Sequence, residues 1–517
     1  MSRRPATPAA HPPPIGLGSV LDSARLTRFH YRAVLTAGIG FFTDSYDLFV
    51  IGAVLVILKE QWHLGPAQAS LVSAAALGAA FVGSFVFGRI ADLFGRKRVY
   101  GLEAAIMVVG ALGSAFAPSV AWLIAFRIVL GIGIGGDYPV SAVMMSEYAN
   151  VRDRGRLVGL VFSMQAAGLV VGPLAAIVLV GSGMPHAIVW RVLLGLGAIP
   201  AAIVIHLRRK MPESPRYEAA VRGNDADAAR QVAAYSGGTI TVLPVAGSQL
   251  APQGAASAAG SASPAVVTSA AACAPRPGGR RSFRELFTNR RLLITLIGTA
   301  GTWFIFDYAY YGNSISTPVI IKDLAPHASL MVTLALTLAI FSIAAVPGYV
   351  MAVAFMDRVG HRRLQLIGFA VMAGCFAAIA AVPALSVAVL PFLMVYGISY
   401  FFAEFGPNST TFVLPAELFP TSLRTTGHGI SAGVAKVGAF IGVYLFPILS
   451  RDLGLRGTLA VTAGCSFLGC LLTLVLPEPS RRSLDELDRP NGFGPANDNE
   501  IQATVGDSDP EQVLASA

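Results

Sequence analysis

A small set of side chains in this sequence could bind a polar ligand or exchange protons, and nearly all of them sit inside long apolar runs. Asp44 and Asp47 stand three residues apart in GFFTDSYDLF, on one face if the segment is helical. Asp137 and Tyr138 end a glycine-rich run, and Gln165 follows in the next apolar stretch. Trp303, Asp307 and Tyr311 recur at i, i+4 and i+8, one stripe of a helix. Glu404, Asn408 and Lys436 complete the set. An ionisable group in such surroundings is costly to keep, which makes it a functional candidate. Covalent catalysis is not indicated. The eight histidines are scattered, and Cys273, Cys375, Cys465 and Cys470 show no metal spacing, so no enzyme activity, metal, cofactor or disulfide is expected.

The elements that must position these groups follow from composition. Of 517 residues, 54% are hydrophobic and 13% charged, which excludes an ordinary soluble enzyme. Spanning a bilayer core of about 30 Å takes about 20 apolar residues in a helix. Twelve stretches qualify: 33–58, 70–91, 99–117, 120–146, 157–181, 187–207, 292–321, 329–355, 364–383, 386–414, 427–450 and 457–476. The short alternating pattern of a membrane β-barrel is absent, so the expected fold class is an all-α membrane protein with 12 transmembrane helices. At ~1.5 Å per residue, Gln165 and Lys436 lie about 12–14 Å deep and Asp44 and Asp307 about 16–22 Å, one layer near the middle.

The net charge of +9 is informative only by position. The N-terminus, the even-to-odd loops and the C-terminal tail hold 30 of the 38 basic residues; the opposite ends hold Lys59, Arg191, Lys322, Arg451 and Arg456. Both termini are therefore expected in the cytoplasm, with the arginines facing water and lipid headgroups and not nucleic acid. Residues 1–20 carry prolines where a signal peptide would carry an apolar run, so no cleaved leader is expected.

The sequence also repeats itself. Gly88-x-x-x-Asp92-x-x-Gly95-Arg96-Lys97 after the second span is answered by Asp357-Arg358-Val359-Gly360-His361-Arg362-Arg363 after the eighth, so Asp92 and Gly95 recur 265 residues later. Glu147 and Arg154 return as Glu417 and Arg424 at an offset of 270, and Pro212-Glu213 returns as Pro477-Glu478. Two pseudo-symmetric six-helix halves are expected, 33–207 and 292–476. They are flanked by a disordered N-terminus (1–32), a largely disordered linker (208–291, with 236–279 mostly Ala, Gly, Ser and Pro) and a C-terminal tail (477–517).

These features resemble the major facilitator superfamily, in which substrate sits between the halves and rocking exposes it to each side in turn. The charged cluster of Asp92, Arg96, Glu147, Arg154, Glu417 and Arg424 is then expected to act as a gate at the cytoplasmic mouth. The run GIGIGGDYPVSAVMMSEYANVRDRGR (131–156) contains a formal G-x-G-x-x-G, but inside an apolar span the glycines more plausibly let helices approach closely. Together with Ser163-Met164-Gln165, Trp303-x-x-x-Asp307-x-x-x-Tyr311-Gly312, GPNSTTFVLPAELFP (406–420) and HGISAGVAKVGA (428–439), it resembles the phosphate:proton symporter family.

That resemblance implies a substrate site of Tyr138, Gln165, Trp303, Asp307, Tyr311 and Asn408 with Lys436 nearby, and proton coupling through Asp44, Asp47, Asp137 and Asp307. The neutral donors and the Lys436 ammonium suit an anion, and Asp307 suits one only when protonated. The implied function is import of inorganic phosphate with protons across the cell membrane by a chain working as a monomer. Asn313-Ser314-Ile315-Ser316 and Val434-Ala435 depart from the family pattern beside the pocket. They leave a small organophosphate, sugar or other metabolite as an alternative cargo. A membrane nutrient receptor that binds without transport is the alternative of another class. An ATP-driven pump is excluded, since no G-x-x-x-x-G-K-[ST] is present.

Overall fold

A computed structural model of the chain describes residues 21–235, 240–243, 265–268 and 281–484. Eleven helices in it are long and apolar enough to cross a membrane. They are α1 (Arg28–Gln61), α2 (Pro66–Phe94), α3 (Arg96–Ala115), α4 (Val120–Tyr148), α5 (Arg154–Gly181), α6 (His186–Arg209), α7 (Arg290–Leu324), α8 (Leu330–Val359), α9 (His361–Ala381), α10 (Val389–Leu418) and a 50-residue segment, Arg424–Thr473. The last contains Gly454 at φ 69° and ψ 172°, a break that no continuous helix allows. It is two spans end to end, α11 (424–453) and α12 (455–473), which brings the total to the expected twelve. Each helix overlaps one of the apolar stretches, extended at its ends by a few polar residues.

Duplication is visible in backbone geometry as well as in sequence. Gly95 (φ 104°, ψ 147°) and Gly360 (φ 99°, ψ 144°) adopt the same left-handed turn before α3 and α9. In each half the repeated Pro-Glu supplies the cap. Glu213 accepts the Arg96 and Lys97 backbone N–H groups at 3.2 Å each, and Glu478 accepts those of His361 and Arg362 at 3.1 and 2.9 Å. A Cβ on either glycine would come within 2.5 or 2.6 Å of the capping carboxylate, so only glycine fits.

The glycine-rich run of α4 does what its small residues suggest. A Cβ on Gly131 or Gly135 would lie 2.0 Å from the Ala76 or Ala80 carbonyl oxygen of α2, and one on Gly83 would lie 2.1 Å from that of Ile132. The α2 and α4 backbones are in contact, with Ser84 Oγ donating to the Gly135 carbonyl at 2.8 Å. Gly135→Val is expected to cost at least ~3 kcal/mol, because a backbone oxygen cannot move aside as a side chain can. Detergent-solubilised Gly135→Val should aggregate on size exclusion; a monodisperse variant with wild-type thermal unfolding would refute this packing account.

Between the halves, 208–291 carries helices at Pro215–Ala220, Asp225–Tyr235 and Glu285–Thr288 and one parallel strand pair, Ile240–Leu243 with Ala265–Thr268. The remainder of 236–280, the N-terminal 1–20 and the tail 485–517 lie outside the described residues.

Candidate functional site

The seven residues proposed for the substrate meet at the interface of the two halves, each no more than 3% exposed. None faces lipid. Six of them, joined by Tyr349, form a hydrogen-bonded belt that crosses six helices. Lys436 of α11 donates to Asp307 Oδ2 of α7 at 2.9 Å and to the Tyr311 hydroxyl at 3.4 Å. Tyr311 meets the Tyr138 hydroxyl of α4 at 3.4 Å, and Gln165 of α5 donates to Tyr138 at 3.0 Å. The return passes through Tyr349 of α8, which donates to Gln165 Oε1 at 3.3 Å and accepts from Asn408 of α10 at 2.8 Å. Trp303 stands beside the belt with its ring 6.0 Å from that of Tyr138.

Each helix presents its polar group inward for a local reason. On α7 the i, i+4, i+8 stripe aligns Trp303, Asp307 and Tyr311, and Gly312 lets α7 lie against α11, since a Cβ there would sit 2.9 Å from the Gly442 oxygen. On α10 the turn Glu404–Asn408 is π-helical, a widened turn that recurs at functional sites. The Lys436 ammonium also lies 4.4 and 4.6 Å above the Tyr138 and Tyr311 rings, whose negative faces help to hold a cation out of water.

Besides Asp307, the three acids expected to carry protons occupy different surroundings. Asp137 turns away from Tyr138 into the first half, where both of its oxygens accept from Arg208 at 2.7 Å; Arg208 also donates to Glu103 at 2.8 Å. A Cβ on Gly40 would meet this pair at 2.1–2.2 Å, which explains the small residue one turn from Asp44. Asp47 accepts through its backbone oxygen from Arg127 at 3.0 Å, and its carboxylate packs on Gly197. Asp44 is fully buried with neither carboxyl oxygen hydrogen-bonded. Among the described residues no direct hydrogen bond links these acids to the belt.

Sequence reasoning missed Arg208, Glu103 and Tyr349. Arg208 looked like one more charge at a span end in IHLRRK, yet its side chain is completely buried. A lone acid at position 103 in an apolar span was a signal for a buried partner. Tyr349 had none, because a tyrosine among apolar residues reads as packing.

At the end of the bundle that carries the linker, the six residues expected to form a gate are brought together. Arg96 bonds Asp92 and Glu147 at 3.1 Å each, Arg424 reaches Glu147 at 3.1 Å, and Arg154 lies 3.3 Å from Glu417. The last two pairs join one half to the other. Asp92 accepts the Thr426 N–H at 2.6 Å and hydroxyl at 2.7 Å, and Arg96 donates to the Thr421 carbonyl at 2.9 Å, also across the halves. This end is closed. The repeat is chemically uneven here, since His361 replaces Arg96 and lies 3.8 Å from Glu417. Burial alone would raise the Glu478 carboxyl, but its contacts with His361 and Ser480 hold it at about 2. Burial pushes its counterpart Glu213 up.

At the opposite end a cavity of about 470 Å³ lies between α1, α2, α7 and α11, lined by Leu55, Lys59, Ser70, Ile315, Asp323 and Arg451 among others. Its Ile315 wall is one helical turn from Tyr311. Phe49, with its ring 6.0 Å from that of Tyr311, packs over the belt on this side.

Comparison with known proteins agrees with this architecture. The sequence profile of the "Sugar (and other) transporter" family matches residues 33–490. Inorganic phosphate transporter 1-6 of Oryza sativa subsp. japonica is 37% identical over 534 residues, covering 90% of this chain and 94% of its own. Low affinity inorganic phosphate transporter 1 of Petunia hybrida is 34% identical over 558 residues, covering 94% and 97%. Among solved structures, the major facilitator superfamily proton:xylose symporter bound to 6-bromo-6-deoxy-D-glucose superposes with a TM-score of 0.72 at 19% identity, covering 89% of this chain and 98% of that one. With twelve spans in two repeated halves and a polar belt enclosed between them, the chain has the fold of that symporter and belongs to the sugar (and other) transporter family.

Proposed function

We propose that the protein imports inorganic phosphate together with protons by alternating access. The observation that carries this reading is the buried Lys436–Asp307 pair, ringed by the neutral donors of Tyr138, Gln165, Tyr311 and Asn408. Relatives named as inorganic phosphate transporters share more than a third of its residues over nine-tenths of the chain, which supports phosphate as the cargo. With no anion bound, Asp307 neutralises the ammonium that burial would otherwise make costly. A phosphate anion competes with Asp307 for that ammonium.

A proton on Asp307 removes the competitor and turns it into a donor, so protonation and phosphate binding strengthen each other. The coupling is reciprocal: each ligand tightens the other by the same factor. Asp44, Asp47 and Asp137 serve as proton carriers along the first half. The cross-half contacts of Asp92, Arg96, Glu147, Arg154, Glu417 and Arg424 hold one mouth shut and break when the halves rock. The concentration of basic residues at that mouth supports a cytoplasmic side for it and for both termini, in a protein of the cell membrane. One chain holds a complete belt, so a monomer suffices.

The test is uptake of radiolabelled phosphate by proteoliposomes under an inward proton gradient that is imposed and then collapsed. Accumulation that ends on collapse, competed by phosphate more strongly than by glycerophosphate and not by xylose, is the expected result. Uptake indifferent to the gradient, or blocked by sugars, would sink the proposal.

A further inference from the structure

One buried acid beside the belt, Glu404, belongs neither to the substrate site nor to the proton route proposed above. Most buried carboxylates here have a cation: Asp92 and Glu147 have Arg96, Glu417 has Arg154, Asp137 and Glu103 have Arg208, and Asp307 has Lys436. Glu404 has none. Among the described residues no Lys, Arg or His lies within ion-pair distance of it, although it is 0% exposed. Asp44 and Asp47 share this condition in the first half, within the proposed proton route; Glu404 lies in the second half and outside that route.

The surroundings of Glu404 are uncharged. It opens the π-helical turn Glu404–Asn408, and its Oε2 accepts from the amide of Asn408, the belt residue that closes the same turn. The titratable groups facing it are Tyr310 of α7 and Tyr349 of α8. From α9, Gly368 packs on Pro407 and Gly406 of the same turn and brings no charge to it. Beyond the Asn408 amide, the nearest donors to the carboxylate are the Tyr310 and Tyr349 hydroxyls, and neither makes a well-aligned hydrogen bond to Glu404 Oε1. Gly348 of α8 leaves room for the side chain, since a Cβ there would lie 2.9 Å from Glu404 Cβ.

The repeat sharpens the contrast. At the offset of 271 that relates Asp137 to Asn408, Glu404 corresponds to Gly133. The second half has exchanged the acid of the first for an amide, and has gained an acid one turn earlier. The amide is shared: the Asn408 N–H₂ that serves Glu404 is the donor that the belt offers to an anion.

We propose that Glu404 is a second proton-binding site of the transporter, loaded when phosphate draws the Asn408 amide away from it. A carboxylate that loses its donor in apolar surroundings, with an anion approaching, takes up a proton from water that enters with the anion. The resulting acid donates to Tyr349 or Tyr310. On the other side, departure of phosphate returns the amide to Glu404, and the proton leaves to water. The coupling thus runs through Asn408 on one side of the belt and through Lys436 on the other. This rests on the phosphate:proton reading above.

The experiment compares full-length wild type with Glu404→Gln in proteoliposomes, recording radiolabelled phosphate uptake together with proton uptake from a trapped pH dye. Glu404→Gln should still exchange phosphate across the membrane, with the protons moved per phosphate reduced by about one. A variant with the wild-type ratio and pH profile overturns the inference and leaves the coupled reading intact. Wild type that moves phosphate without protons overturns both. Glu404→Asp serves if the glutamine variant fails to assemble: a wild-type ratio with a displaced pH midpoint is expected, and an unchanged midpoint refutes the role.

Discussion

Asp307→Asn should reduce proton-driven phosphate accumulation by roughly 100-fold, near the upper end of ordinary coupling between two sites. Asparagine keeps the shape and can still meet Lys436, but it cannot alternate between competitor and donor. The Lys436 ammonium, 2.9 Å from Asp307 in the wild type, then has no anionic partner except the substrate. Phosphate should bind at least as tightly as before and be released slowly, and its affinity should lose most of its pH dependence. Equilibrium binding of labelled phosphate across a pH series, beside uptake under an imposed gradient, separates these effects. Accumulation equal to wild type would mean that Asp307 is a fixed partner of Lys436 and takes no part in coupling.

The second large effect is on assembly. Arg208→Met leaves Asp137 and Glu103 facing each other in the first half without a cation, both at 0% exposure. Breaking a buried pair from one side costs about 3–5 kcal/mol, because the remaining charge is left uncompensated. The variant should unfold at a markedly lower temperature in detergent, or fail to purify as a single species. Adding Asp137→Asn and Glu103→Gln should recover much of the loss, since neutral amides tolerate burial better than orphaned carboxylates. A single variant as stable as wild type would show that the Arg208 cluster carries little of the fold. A stable triple variant without uptake would support the assignment of Asp137 to the proton route.

The sequence alone determined the architecture. Twelve apolar stretches of bilayer length left no other solution for the backbone, and the offsets linking Gly95 to Gly360 and Glu213 to Glu478 reported the duplication before any coordinates did. The polar members of the belt were legible for a related reason. A carboxylate or lysine inside an apolar helix stands out, because burial without a partner is too costly to occur by drift. Asp307 and Lys436 were legible in this way, and Tyr138 through the motif around it.

Tertiary packing decided who pairs with whom. Tyr349 gave no sign in the sequence, yet it carries the belt from Gln165 to Asn408, because a phenol packs like an apolar ring until a partner comes within reach. Arg208 read as a topology-setting charge at a helix end, and only the meeting of α3, α4 and α6 made it the counter-ion of two acids. The same holds for Glu404, visible from the start as an acid in a span, whose lack of a cation is a property of α7, α8 and α9 packed against its turn of α10. Residue type records what a group needs, and whether the need is met depends on contacts between segments hundreds of residues apart.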